Sequence, residues 1–177
     1  MSGKYTIGAG TGYDYSTVTA AASALTSSGV NGPVEFAIAD GTYSGQVTLG
    51  SITGASATNT ITFFCASNDS SKVVITHSSS YTLYMSAAKF IHFKDVTITT
   101  SYSSGYCVYA PNASDCSWES CQIFTTYFGM YLYYADRMDV DKCLIRGGTY
   151  GIYLYGSSTD FGEFNRVKNT NFWNTGN

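Results

Sequence analysis

A short phrase recurs through the second half of the chain: Tyr81-Thr82-Leu83-Tyr84, Tyr106-Cys107-Val108-Tyr109, Met130-Tyr131-Leu132-Tyr133 and Ile152-Tyr153-Leu154-Tyr155. Its third positions, Leu83, Val108, Leu132 and Leu154, are 25, 24 and 22 residues apart. A period of roughly 20 to 50 residues marks repeat architectures, solenoids among them. A second phrase keeps step with the first. Phe93-Lys94-Asp95-Val96-Thr97-Ile98 aligns with Trp118-Glu119-Ser120-Cys121-Gln122-Ile123, with Val140-Asp141-Lys142-Cys143-Leu144-Ile145 and with the weaker Val167-Lys168-Asn169-Thr170-Asn171-Phe172. The two phrases together predict coils of two short strands each, joined by polar turns, with six or seven coils in all.

Strand alternation assigns the faces. Leu83, Val108, Leu132 and Leu154 are expected to point inward, with Tyr81, Tyr106, Met130 and Ile152 beside them. The second phrase adds three inward columns: Phe93, Trp118, Val140, Val167; then Val96, Cys121, Cys143, Thr170; then Ile98, Ile123, Ile145, Phe172. Cys65 and Cys116 read as core, and Cys107 is expected to face outward. Five cysteines match no metal-binding spacing, so they do not fix a redox compartment.

The outward positions carry the candidate chemistry. Tyr84, Tyr109, Tyr133 and Tyr155 form one expected strip, extended by Phe64. Thr62, Thr82, Cys107, Tyr131 and Tyr153 run beside it. A tyrosine offers an apolar ring and a hydroxyl, which suits the C–H faces and hydroxyls of a sugar chain. The six candidate ligand-binding residues are therefore Tyr84, Tyr109, Tyr131, Tyr133, Tyr153 and Tyr155. The simpler alternative is that neighbouring aromatics only stabilise the sheet, by about 0.2–1 kcal/mol per pair. On the other phrase His92 and Lys94 are followed by Ser117 and Glu119, then Asp139 and Asp141, then Asn165 or Arg166 and Lys168. Such a set reads first as a ladder of surface ion pairs.

Ahead of the repeats, Asp14 is a candidate helix cap for Ser16 to Ser27, and Val18, Ala21, Ala22 and Leu25 make one apolar stripe. Gly29 can close that helix. Residues 1–31 are thus expected to cap a single domain whose stacked coils fill 32–177. The chain stops at Asn177, shortly after Asn171-Phe172-Trp173-Asn174. This predicts an open last coil, as in a piece of a longer solenoid or a chain that associates with itself through that end.

The order of the helix, Gly32-Pro33-Val34-Glu35-Phe36, Asp40-Gly41-Thr42-Tyr43 and a Val47/Leu49 strand resembles the opening of right-handed parallel β-helix proteins. These include the pectate-lyase-like and pectinesterase-like superfamily and β-helix modules of large secreted surface proteins. The resemblance covers the whole chain and implies an all-β solenoid with an N-terminal capping helix; it does not specify a reaction. In pectate-lyase-like enzymes, carboxylates on successive coils bind Ca2+ and a basic residue removes the proton next to a uronate carboxylate. By that resemblance Glu119, Asp139 and Asp141 are the candidate metal ligands, and Arg137, Arg166 and Lys168 the candidate basic groups. Other signatures are not legible: the pectinesterase Asp pair with its Gln and Arg-Trp, the polygalacturonase Asp-Asp and Gly-His, and a Ser/His/Asp triad. Repeating Thr-x-Thr columns are missing as well.

A net charge of −3 and a pI near 5.1 speak against nucleic acid, which favours a basic stripe. No apolar run reaches the roughly 20 residues of a membrane span. The Tyr-, Ser-, Thr- and Gly-rich composition, with 12% charged residues, resembles that of extracellular or cell-surface proteins. The expected function is a non-catalytic module that holds a polysaccharide or another surface without a cofactor. The alternatives are a calcium-dependent polysaccharide lyase and a structural or self-assembling spacer.

Overall fold

A computed structural model describes residues 1–157 and 162–173. The expectation for the chain's last residues, 174–177, lies outside them. Strand β1 (Gly3–Ile7) and helix α1 (Val18–Ser28) come first. Five complete turns follow: β2 (Val34–Ile38), β3 (Gly41–Ser44), β4 (Val47–Thr48); β5 (Ile61–Cys65), β6 (Val73–His77), β7 (Tyr81–Tyr84); β8 (Ile91–Lys94), β9 (Thr97–Thr100), β10 (Tyr106–Pro111); β11 (Ser117–Glu119), β12 (Gln122–Phe124), β13 (Phe128–Tyr133); β14 (Asp139–Asp141), β15 (Leu144–Arg146), β16 (Tyr150–Tyr155). Strands β17 (Arg166–Lys168) and β18 (Asn171–Trp173) begin the next turn.

Each turn contributes one strand to each of three sheets, and every pairing is parallel. The first sheet runs β1-β2-β5-β8-β11-β14-β17, the second β3-β6-β9-β12-β15-β18, and the third β4-β7-β10-β13-β16. The fold is a right-handed parallel β-helix. It has three strands per turn rather than two, and five complete turns rather than six or seven. The reason is a single residue inside the second repeat phrase. Asp95, Ser120, Lys142 and Asn169 take positive φ angles of 49–53° and bend the chain between the first and second sheets. One apparent strand becomes two on different faces.

The first three members of each inward column predicted from that phrase are buried, while the last members Val167 and Phe172, in the final described coil, are exposed. Phe93, Trp118 and Val140 stack in register, as do Ile98, Ile123 and Ile145, and all six are at most 1% exposed. Phe36, Phe63, Phe93 and Trp118 form a continuous ring stack along the core, with centroids 4.6, 5.3 and 6.4 Å apart. Burial of each such side chain is worth about 1.5–3 kcal/mol, which no isolated coil could gain.

At the N-terminus the helix begins two residues later than expected. Thr17, not Asp14, is its cap, accepting a 3.0 Å hydrogen bond from the Ala20 amide. Asp14 instead accepts hydrogen bonds from the Thr6 amide and hydroxyl at 2.7 and 2.8 Å. Val18, Ala21, Ala22 and Leu25 are the buried face, and Gly29 ends the helix at φ 63°. The capping region also holds β1, the outermost strand of the first sheet, paired with β2 from Gly3↔Val34 to Ile7↔Ile38.

All five cysteines are free thiols and buried. Cys107 is therefore a correction: it points inward, and its thiol donates to the Phe124 carbonyl at 3.1 Å. Burial pushes this thiol up to about 12. Thr82, one coil earlier, also turns inward and donates to the Thr99 carbonyl at 2.8 Å. Gly129 and Gly151 follow in the next two coils, and a Cβ on Gly129 would run into the Gly151 carbonyl. The start of β7, β10, β13 and β16 therefore breaks strict alternation, with two inward residues in succession.

Candidate functional site

That break decides the geometry of the outer face. Because Thr82-Leu83 and Cys107-Val108 both turn in, the residues on either side turn out. Tyr81 and Tyr106, expected inside, project outward together with Tyr84 and Tyr109. The register from β10 to β13 is Tyr106↔Phe128, Val108↔Met130, Tyr109↔Tyr131 and Pro111↔Tyr133. From β13 to β16 it is Phe128↔Tyr150, Tyr131↔Tyr153 and Tyr133↔Tyr155. The repeated phrase is thus slipped by two residues between the second and third copies.

The result is two full aromatic columns. One is Tyr81, Tyr106, Phe128 and Tyr150, with centroids 5.4, 4.9 and 4.6 Å apart. The other is Tyr84, Tyr109, Tyr131 and Tyr153, with centroids 5.8, 5.3 and 5.3 Å apart. The columns touch within each strand, as in Tyr81–Tyr84 at 5.5 Å and Tyr150–Tyr153 at 5.3 Å. Tyr133 and Tyr155 start a third column, stacked at 5.0 Å and 8°. All six tyrosines predicted to bind ligand lie on this outer face, but Tyr131 and Tyr153, rather than Tyr133 and Tyr155, continue the column of Tyr84 and Tyr109. Phe64 and Thr62 do not extend it; they belong to the first sheet, in register with Lys94 and His92.

The rings stand on edge against one another, most within about 30° of parallel in the first three coils, and so show their rims and hydroxyls more than their flat faces. Among the described residues, the hydroxyls of Tyr84, Tyr109, Tyr131 and Tyr153 meet no protein hydrogen-bond partner. Burial, together with neighbouring tyrosines, raises the ionisation of Tyr106, Tyr109 and Tyr131 above the ordinary tyrosine value, so these phenols remain neutral donors.

The first sheet carries the charges, in the register read from sequence: His92↔Ser117↔Asp139↔Arg166 and Lys94↔Glu119↔Asp141↔Lys168. Glu119 meets Lys142 at 3.1 Å and Lys94 at 4.0 Å. Asp139 receives a two-point hydrogen bond from Arg166, at 3.1 and 2.6 Å. Asp141 meets Lys168 at 3.3 Å and accepts from Asn169 at 3.0 Å; the Asn169 contact, then Lys168, hold it below the usual carboxylate range. Arg137 lies apart, at the bend before β14, with both Asp115 oxygens at 2.6 and 2.9 Å. Asp115 raises Arg137 and Asp139 raises Arg166 further above the ordinary guanidinium value, the opposite of what a proton-accepting base requires. Among the described residues no three His, Cys, Asp or Glu side chains group closely enough to hold a metal ion. His92 donates to or accepts from Ser117 at 2.8 Å and is half-buried.

A family described as the right handed beta helix region matches residues 42–177. The chain belongs to that β-helix family. No curated protein sequence matches it significantly. Among solved structures, this β-helix is similar to the pectin methylesterase from Aspergillus niger, at a TM-score of 0.65 and 18% identity, covering 99% of this chain and 68% of that one. It is also similar to a pectin methylesterase in complex with hexasaccharide VII, at a TM-score of 0.57 and 10% identity over 98% and 66% of the two chains. A mutant pectin methylesterase in complex with hexasaccharide IV gives 0.58 and 9% over the same shares. At these identities the likeness is one of fold.

Proposed function

We propose that this β-helix is a non-catalytic, extracellular module that holds polysaccharide on the outer aromatic face of its third sheet. The observation that carries the reading is the pair of four-ring columns over β7, β10, β13 and β16. A contiguous aromatic surface on four successive coils, partly exposed at every ring but the buried Phe128, is more than sheet stability requires, and such patches mark interaction sites. Tyrosines enrich binding surfaces because one end is apolar and the other forms hydrogen bonds. The solved proteins of like fold include pectin methylesterases with hexasaccharides bound, which supports a carbohydrate ligand for this architecture. The lyase alternative is less favoured because Glu119, Asp139 and Asp141 each already hold a lysine or arginine.

The experiment is retention on insoluble polysaccharides by the intact chain and by a Tyr109→Ala/Tyr131→Ala variant. The variant should keep the β-sheet circular dichroism spectrum of the parent and lose retention. Equal retention by both would remove the reading. Ring-on-ring stacking favours one rival, a purely structural role; a parent chain that no polysaccharide retains would support it.

A further inference from the structure

The five strands of the third sheet contain no Asp, Glu, Lys, Arg or His. The first sheet, by contrast, carries Lys4, Glu35, Lys94, Glu119, Asp141 and Lys168 on its outer face, each in an ion pair. Charge is segregated by face. An anionic chain laid on the third sheet would give up hydration and find no cation in exchange, and desolvating an unpaired carboxylate is costly. A neutral sugar chain loses little and gains hydroxyl partners from the tyrosine rims.

The columns also set a direction. Tyr84, Tyr109, Tyr131 and Tyr153 repeat once per coil along the solenoid axis, at 5.3–5.8 Å. Their hydroxyls are unpartnered among the described residues. A ligand lying along one strand, at right angles to this row of tyrosines, would meet one coil; a ligand lying along the row, across the strands, meets all four. An extended glycan has a comparable repeat from sugar to sugar.

We infer that the third sheet takes an uncharged, extended glycan running along the solenoid axis, one sugar to a coil. This rests on the reading of that sheet as a glycan-binding face. The test uses matched polymers that differ only in charge: neutral and carboxylated forms of a glucan, a xylan and a galacturonan, the last as its methyl ester and its free acid. Affinity electrophoresis of the intact chain should show retention by neutral members about tenfold or more stronger than by their carboxylated partners. Equal retention, or preference for the carboxylated form, overturns the inference while leaving a glycan-binding face in place. No retention by any of the six overturns the face itself. Neutral oligosaccharides of the retained backbone should then bind more tightly with each added sugar up to four. A plateau at two sugars would contradict the axial placement.

Discussion

Tyr131 stacks on Tyr109 one coil away, with ring centroids 5.3 Å apart, while Tyr133 lies in register with Pro111. This single pairing fixes how the aromatic residues are shared between columns. It brings Phe128 under Tyr106 and produces a two-column surface where a slip of two residues would leave one strip and an interrupted neighbour. The slip is even, so it moves side chains along the face without turning them over.

The core account predicts a steep difference between two positions in one column. Ile123 is fully buried between Ile98 and Ile145, whereas Phe172, last in the same column, is 56% exposed. Ile123→Ala should cost about 2–5 kcal/mol. Phe172→Ala should cost about 1 kcal/mol or less. Denaturant unfolding of the two variants checks this; equal losses would mean that the last described coil is covered as tightly as the middle one.

The bend between the first and second sheets predicts a backbone effect at Ser120, whose φ is 53°. A β-branched residue there should lose about 1–2 kcal/mol, because the left-handed region crowds its Cβ against the backbone. Asparagine tolerates the region, so Ser120→Asn should lie within about 0.5 kcal/mol of the parent. Thermal unfolding of Ser120→Val and Ser120→Asn decides the point; a harmless valine would show that the bend relaxes freely.

These results bear on what was legible in the sequence. The coil period, the inward columns Phe93/Trp118/Val140 and Ile98/Ile123/Ile145, and the charge ladder from His92 to Arg166 were all readable, because the same residue of each phrase stays in register from coil to coil. The third sheet was not, because Thr82 and Cys107 turn inward next to Leu83 and Val108, where the strand leaves the preceding bend. A signal was present nonetheless. An aromatic residue followed three positions later by tyrosine occurs at Tyr81/Tyr84, Tyr106/Tyr109, Phe128/Tyr131 and Tyr150/Tyr153. That spacing, weighed in place of apolar alternation, gives the observed register directly. The split of the second phrase into two strands left a weaker trace, since Asp95, Ser120, Lys142 and Asn169 share polarity and little else.

His92 predicts a pH effect. Burial lowers its protonation below the ordinary histidine value of about 6.5. The unfolded chain therefore binds the proton more readily, and the stability present above the unfolded value is lost as pH falls through the folded one. Urea midpoints at pH 7 and pH 5 should fall further for the parent chain than for His92→Gln. Identical shifts would mean that His92 takes up its proton without cost, its hydrogen bond to Ser117 adapting to the charged ring.

The central claim is that ligand meets the third sheet and leaves the first untouched. Ring resonances of isotope-labelled tyrosines, followed by nuclear magnetic resonance during titration with a retained neutral oligosaccharide, test it most directly. The account predicts shifts at Tyr84, Tyr109, Tyr131 and Tyr153, with Tyr5 and Tyr43 at the N-terminal end of the solenoid unmoved. Binding that shifts side chains of the first sheet, such as His92 and Lys94, while leaving those four rings in place would contradict it.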